Sequence, residues 1–241
     1  MKKIILALSC ILFSIQQKQF AQSEKEGIIL YEVKMNMHIN LPKEAENMKS
    51  MIPEFNISKN ELKFNAEESI FLPVEEDSDD DFGDNNTGGS VVKFQKPINE
   101  YYINHTTKRI TNFRSMMAKE YLIEDTLNNY GWKLSDETME IQKNICKKAT
   151  FTKDGKTTIA WYAEKIPISI GPAGYQGLPG AILKLDINNG ERVFEAKKIT
   201  FKKLGKKEIQ KPKKGTKVTE AEFKLQMQKQ FGDKKTIIKK G

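Results

Sequence analysis

The sequence predicts a mainly β fold: a curved antiparallel sheet, half-barrel or sandwich-like, with one short covering helix and a C-terminal helix. Three observations predict it. Tyr31, Val33, Met35, Met37, Ile39 and Leu41 alternate with polar residues, the period of a half-buried strand. The dipeptides Asp154-Gly155 and Asn189-Gly190 each separate two strand-like runs, as hairpin turns do, because both residues of each pair tolerate positive φ. Long helical patterns do not alternate with the strand runs, which favours sequential antiparallel pairing over a parallel sheet.

The chain starts with Met1-Lys2-Lys3, an apolar run over 4–15 and a small residue at Ala21, the pattern of a secretory signal peptide over residues 1–21. Cys10 raises a lipoprotein alternative, but it lies inside the apolar run. After the long alternating segment, Pro42 opens a helical pattern over 43–52 with Ala45, Met48 and Ile52 on one side, and Pro53 closes it. Leu62 with Phe64 and Ile70 with Leu72 mark two strands. Residues 73–90 change character: seven acids fall within 75–84, self-repulsion opposes packing, and a disordered surface loop is expected. Counted from Asp77, the sixth and twelfth positions of an EF-hand loop hold Phe82 and Gly88, so that motif fails and only an irregular calcium site remains as an alternative. Residues 101–104 and 109–113 form a hairpin pattern. Further strands are expected at 121–123, 132–134, 141–152, 157–166, 182–187 and 192–201. Residues 22–201 thus form a β-rich domain, and 202–241 a basic linker and C-terminal helix. Thr219 and Glu222 have the spacing of a capping box, and Phe223, Met227 and Phe231 form an apolar stripe behind it.

Residues 171–180, Gly-Pro-Ala-Gly-Tyr-Gln-Gly-Leu-Pro-Gly, hold four glycines and two prolines, so they form a shaped loop that delivers Ala181-Ile182-Leu183 into a strand. The run Gly177-Leu178-Pro179-Gly180 with Ile182 resembles the signature of the GLPGLI family, with Ala181 in place of a leucine. Gly171-Pro172, Ala160-Trp161-Tyr162 and residues 145–149 are also similar to that family's pattern, and the resemblance extends over about 27–201. It implies a small exported envelope protein of Gram-negative bacteria and carries no established activity. Gly171, Pro172, Tyr175, Leu178 and Pro179 are the candidate interaction loop, with Leu178 read as core and Tyr175 as partly exposed, since tyrosine is a favoured interface anchor.

The formal charge of +8 is unevenly distributed: residues 191–241 carry 17 Lys/Arg against 6 Asp/Glu. For an exported chain this favours anionic lipid, lipopolysaccharide or an acidic partner over nucleic acid. His38 and His105 are the only histidines and lie on separate segments, so no His-based metal site is expected. Cys146 is the one cysteine beyond the leader; alternation places it with Asn144 and Lys148 as a structural thiol. No phosphate-cradling glycine loop and no paired carboxylates are recognisable. The expectation is therefore no catalytic residues, no cofactor and no metal, in an interaction module with an outer-membrane protein partner at the periplasm or outer-membrane periphery. The alternative is a carrier of an apolar ligand or lipid, with Met35, Met37, Met48 and Met51 as a pliable apolar wall.

Overall fold

β-Branched and aromatic residues on alternate positions of β1 (Gly27–Asn36) put Ile29, Tyr31 and Val33 on one face, all of them buried. The computed structural model to which this strand belongs describes residues 25–39, 41, 43–74, 98–116 and 118–232. The expected signal peptide, Cys10 and the acidic loop with its calcium alternative lie outside the described residues. β1 is central to a sheet of twelve strands: β2 (Phe55–Phe64), β3 (Glu68–Pro73), β4 (Asn99–Asn104), β5 (Arg109–Met116), β6 (Lys119–Thr126), β7 (Lys133–Ile141), β8 (Asn144–Lys153), β9 (Lys156–Ala163), β10 (Ala181–Ile187), β11 (Arg192–Phe201) and β12 (Thr216–Val218). Their spatial order is β12-β6-β5-β4-β3-β2-β1-β11-β10-β9-β8-β7. All neighbours are antiparallel except β12, which lies parallel to β6, so the sheet is mixed and open.

The sheet curls strongly. Phe71 of β3 and Phe194 of β11 are three strand positions apart, which on a flat sheet is about 14 Å, yet their ring centroids lie 6.0 Å apart. Bulges assist the bending. Lys197 is the extra residue where β11 shifts against β1 opposite Leu30/Tyr31, and Leu183 is the extra residue where β10 shifts against β9. That second bulge lets Ile182 and Leu183 both be buried in succession. The main core fills the concave face with Tyr31, Phe64, Phe71, Tyr162, Leu185 and Phe194, together with Leu178 and Ile170 from the connection between β9 and β10.

Four details differ from the expectations. The first strand ends at Asn36 rather than Leu41, because the Asn36 side-chain oxygen accepts from the backbone N–H of His38 (2.9 Å) and Ile39 (3.2 Å), an Asx-type turn that stops the ladder. The strand expected over 141–152 is β8 and begins only at Asn144, because Gln142 and Lys143 are both at positive φ (49° and 60°) in the turn from β7, and the strand expected to start at 132–134 runs on to Ile141. Cys146 does not share the environment of Asn144 and Lys148; it is fully buried with Ala163. Residues 202–218 are not a detached linker. They cross the convex face, where Leu204 and Ile209 pack with Ile70 and Tyr102, the Leu204 N–H donates to Glu26 Oε1 (2.6 Å), and Lys211 pairs with Glu124 (2.5 Å) before β12 joins the sheet.

The segment over 43–51 is a 3-10 helix with Met51 78% exposed. The C-terminal helix α1 (Glu220–Gly232) opens on the expected capping box: the Thr219 N–H donates to Glu222 Oε2 (2.7 Å) and the Glu222 N–H to Thr219 Oγ1 (3.2 Å). Its apolar side rests on the sheet, with Phe223 edge-on to Tyr121 at 5.2 Å.

Leu204→Ala together with Ile209→Ala should lower stability by about 2–5 kcal/mol in denaturant titration, since both close the convex cluster. Replacing residues 75–88 by a short Gly/Ser linker should shift Tm by no more than about 2 °C, because β3 and β4, on either side of this connection, pair directly with each other and the entropic cost of closing a connection changes slowly with its length.

Candidate binding cleft

The loop that the sequence marks as organising is seated inside the curl, and each glycine there has its own reason. A Cβ on Gly180 would collide with the Ala163 carbonyl and lie 2.6 Å from its carbon and 2.9 Å from Glu164 N. Gly177 has φ +96° and donates its N–H to Ser169 Oγ (2.7 Å). Gly174 has φ +81° and sits against Ile110 and Tyr101. Ala173 shares the left-handed region at φ 52°, a conformation that only glycine adopts readily. The loop is pinned from beneath by the Tyr31 hydroxyl, which donates to the Ile182 carbonyl (2.6 Å) in a fully buried setting.

Leu178 is 2% exposed and belongs to the core, and Gly171 and Pro172 are buried, so of the candidate interaction loop only Pro179 and part of Tyr175 reach the surface. Tyr175 stacks on Tyr130 (5.0 Å, 18° between planes) in an aromatic cluster with Trp132 and Phe151. Trp132 Nε1 donates to the Gln176 carbonyl (2.9 Å), and Gln176 Nε2 to that of Asn128 (2.7 Å). Burial pushes the Tyr130 hydroxyl up to about 12 and raises that of Tyr175, so both remain protonated donors at neutral pH.

Beyond Tyr175 the concave face is not filled. A cleft of about 430 Å³ opens there, walled by β5 and β6 on one side and by the β8–β9 turn, β10 and β11 on the other. Its floor includes Tyr101, Asn112 and Ile123, cross-strand partners in one row, and the basic groups Arg114, Arg192, Lys153 and Lys156 lie along it. Lys156 is held by Glu191 (2.8 Å). Among the described residues neither Arg114 nor Arg192 has a carboxylate partner: the Arg114 guanidinium sits over the Phe223 ring (4.9 Å) and Arg192 contacts Met35 Sδ (3.9 Å). Among the described residues, Asn112 Oδ1 and Arg114 Nε are buried without a hydrogen-bond partner. In a second hollow of about 570 Å³, on the other side of the loop beside His105, His105 Nε2 pairs with Ser69 Oγ (3.1 Å) and Gln176 Nε2 donates to the Asn128 carbonyl (2.7 Å).

The methionine wall is not assembled. Met35 is half-buried at the end of β1, Met37 lies past the strand at 39% exposure and Met51 faces solvent, while the side chain of Met48 lies outside the described residues. None of the three described methionines lines the cleft. The cleft residues Asn112, Arg114 and Arg192 escaped sequence reasoning because each reads as an ordinary polar position on an alternating strand; only their alignment in the curl brings them together. Burial raises the Cys146 thiol to about 11, which keeps it un-ionised at neutral pH. Among the described residues no group of three or more His, Cys, Asp or Glu is placed to hold a metal, and no helix is long and apolar enough to cross a membrane.

The geometry defines a curled, open β-sheet with a plugged half and an open, polar and aromatic half. Residues 101–184 match a family described as a protein of unknown function (Porph_ging). The matched span holds the Gly177–Ile182 motif and carries that description rather than the GLPGLI name. Solved structures of PNGF-II in C2 and P21 crystal forms are similar to this chain, each with a TM-score of 0.57, at 18% and 16% identity. They cover 83% of this chain, which spans 32% of the PNGF-II length. At that identity the likeness concerns the fold alone. No curated protein matches the chain.

Gly180→Ala should cost more than Gly177→Ala: about 2–4 kcal/mol through backbone collision against about 1 kcal/mol through positive φ, read by chemical denaturation. Leu178→Ala should cost about 2–5 kcal/mol. Because the Cys146 thiol binds its proton more tightly folded than unfolded, between pH 9 and 11 the unfolded state holds fewer protons and stability falls as pH rises. Cys146→Ala should remove that component of the decline in a pH series of denaturation midpoints.

Proposed function

We propose that this chain is an exported binding module of the cell envelope without catalytic activity, working in the periplasm or at the outer-membrane periphery, and that its ligand sits in the concave cleft. One observation carries the reading: Asn112 and Arg114 keep buried polar atoms without partners among the described residues, on the floor of an otherwise well-paired concave face. Buried polar groups are nearly always satisfied, so exceptions mark strain or an absent partner. The apolar-carrier alternative is less well supported, since the methionines stand elsewhere and the cleft floor mixes tyrosine hydroxyls, amide and guanidinium. A non-catalytic role fits the inert burial of Cys146. The loop's resemblance to the GLPGLI signature supports the envelope address and an outer-membrane protein partner. The exposed Lys203, Lys206, Lys207, Lys213 and Lys214 on the segment over the convex face support contact with anionic lipid or lipopolysaccharide, and nucleic acid has no place in this reading.

Photo-crosslinkers at Lys153 on the cleft rim and at Ile57 on the convex face separate the possibilities. Adducts from envelope fractions should form at position 153 and not at 57; equal yields, or none at 153, would remove the cleft from the reading. Mass spectrometry of the organic extract should find no stoichiometric lipid, and finding one would favour the carrier. Binding to acidic vesicles should weaken steeply with added salt and with the five lysines changed to glutamine.

A further inference from the structure

Asn112 and Arg114 are two residues apart on the concave face of β5, which separates their Cα atoms by about 7 Å. Asn112 is 5% exposed, and its unpartnered atom is an acceptor; the unpartnered atom of Arg114 is a donor. A ligand that satisfies both must present a donor and an anionic or carbonyl acceptor at short spacing. On the opposite wall Arg192 and Lys153 also lack carboxylate partners among the described residues, so, although Asp125, Asp154 and Glu220 line the cleft too, its basic groups outnumber its acids five to three and favour an anionic ligand beside Arg114 and Arg192. Tyr101 and Tyr175 supply flat apolar faces between these groups.

Resting on the cleft reading above, we propose that the cleft captures an acidic peptide by its free C-terminus. The terminal carboxylate accepts from Arg114 Nε, the last amide N–H donates to Asn112 Oδ1, and Tyr101 and Tyr175 flank the terminal side chain. A C-terminal residue carries its N–H and its carboxylate on one Cα, which is the pairing this floor lacks. An N–H is a donor alone, matching a buried acceptor, whereas a sugar hydroxyl would bring lone pairs of its own against the same buried wall. The Phe223 ring beneath the guanidinium steadies Arg114, so the site is prepared before ligand arrives.

The probe is a pool of N-terminally fluorescein-labelled pentapeptides rich in Asp and Glu, as free acids and as C-terminal amides, titrated with the full chain by fluorescence polarisation. The free-acid pool should bind at least tenfold more tightly than the amide pool, and Arg114→Gln and Asn112→Leu should each abolish that difference. Asn112→Leu should leave Tm unchanged or raise it, because it removes an unsatisfied polar atom from the fold; a clear fall in Tm would make Asn112 a structural residue and overturn its role. Equal binding of acid and amide, or an unchanged Arg114→Gln variant, would overturn the terminal-carboxylate inference. If Tyr175→Ala still abolishes such binding, the cleft reading survives without it. Oligogalacturonate binding that depends on Arg114, with silent peptide pools, would replace the peptide by an acidic sugar and overturn the inference. Silence of all probes overturns the ligand class if Lys153 still crosslinks in the envelope, and both readings if it does not.

Discussion

The backbone of Gly180 lies where a side chain cannot, against the carbonyl of Ala163, and the placing of the whole loop follows from that approach. Ala163 ends β9 and Ala181 begins β10, so the approach closes a connection of seventeen residues between adjacent strands into a folded plug. The closure is reinforced by backbone hydrogen bonds from Ala181 to Ile166 (3.1 Å) and from Ile182 to Ile170 (2.9 Å), and by the Tyr31 hydroxyl on Ile182. Because Tyr31 comes from β1 in the middle of the sheet, the plug is tied to the centre of the curl rather than to its own hairpin. Leu178, Ile166 and Ile170 then fill one half of the concave face, and the stack of Tyr175 on Tyr130 ends the filling. The cleft is what the plug leaves uncovered.

An open sheet of this width needs both faces managed, and the chain does so with segments that follow the strand they cover. Residues 202–211 leave β11 and run over the back, shielding Ile70 and Tyr102, and β12 then pairs with the outer side of β6. That parallel pairing protects one edge of the sheet, and α1 folds from there onto Tyr121. The other edge, β7, carries a register break between Leu134 and Thr138 together with exposed charged side chains, a bulged and charged edge of the kind that opposes further pairing. The basic tail therefore has a structural duty, with Leu204 and Ile209 anchoring its backbone while the lysines between and after them face solvent.

Most of the strands were legible in the sequence because alternation and turn chemistry are local. Asp154-Gly155 takes φ of 51° and 74°, as a two-residue turn of that composition should, and Asn189-Gly190 lies in a similar left-handed turn. Gln142-Lys143 adopts the same geometry without an Asn, Asp or Gly to announce it, so the turn reads as the start of the strand that follows and β7 reads as too short. The stop at Asn36 was concealed because the alternation continues in Met37, Ile39 and Leu41 after the side chain of Asn36 has already ended the ladder. Residues 202–218 read as a linker because two apolar residues among lysines make no periodic signal, although two suffice to seal a small cluster. The cleft was not legible at all: Asn112, Arg114 and Arg192 are far apart in sequence or ordinary in pattern, and their convergence depends on curvature that bulges set.

Satisfied polar groups are unevenly distributed across the concave face. In the plugged half, Tyr31, Trp132, Ser169 and Gln176 all have partners at 2.6–2.9 Å. In the open half, Asn112 Oδ1 and Arg114 Nε have none among the described residues. Leaving a buried polar atom unpaired costs about 1–3 kcal/mol, a large fraction of the 5–15 kcal/mol by which domains are ordinarily stable. A leucine at 112 would fill similar space at no such cost and suit the neighbouring Ile110 and Ile123, and a glutamine at 114 would remove the charge. The same face thus satisfies its buried polar groups in the plugged half and, among the described residues, keeps two unsatisfied two positions apart on β5 where the cleft is open.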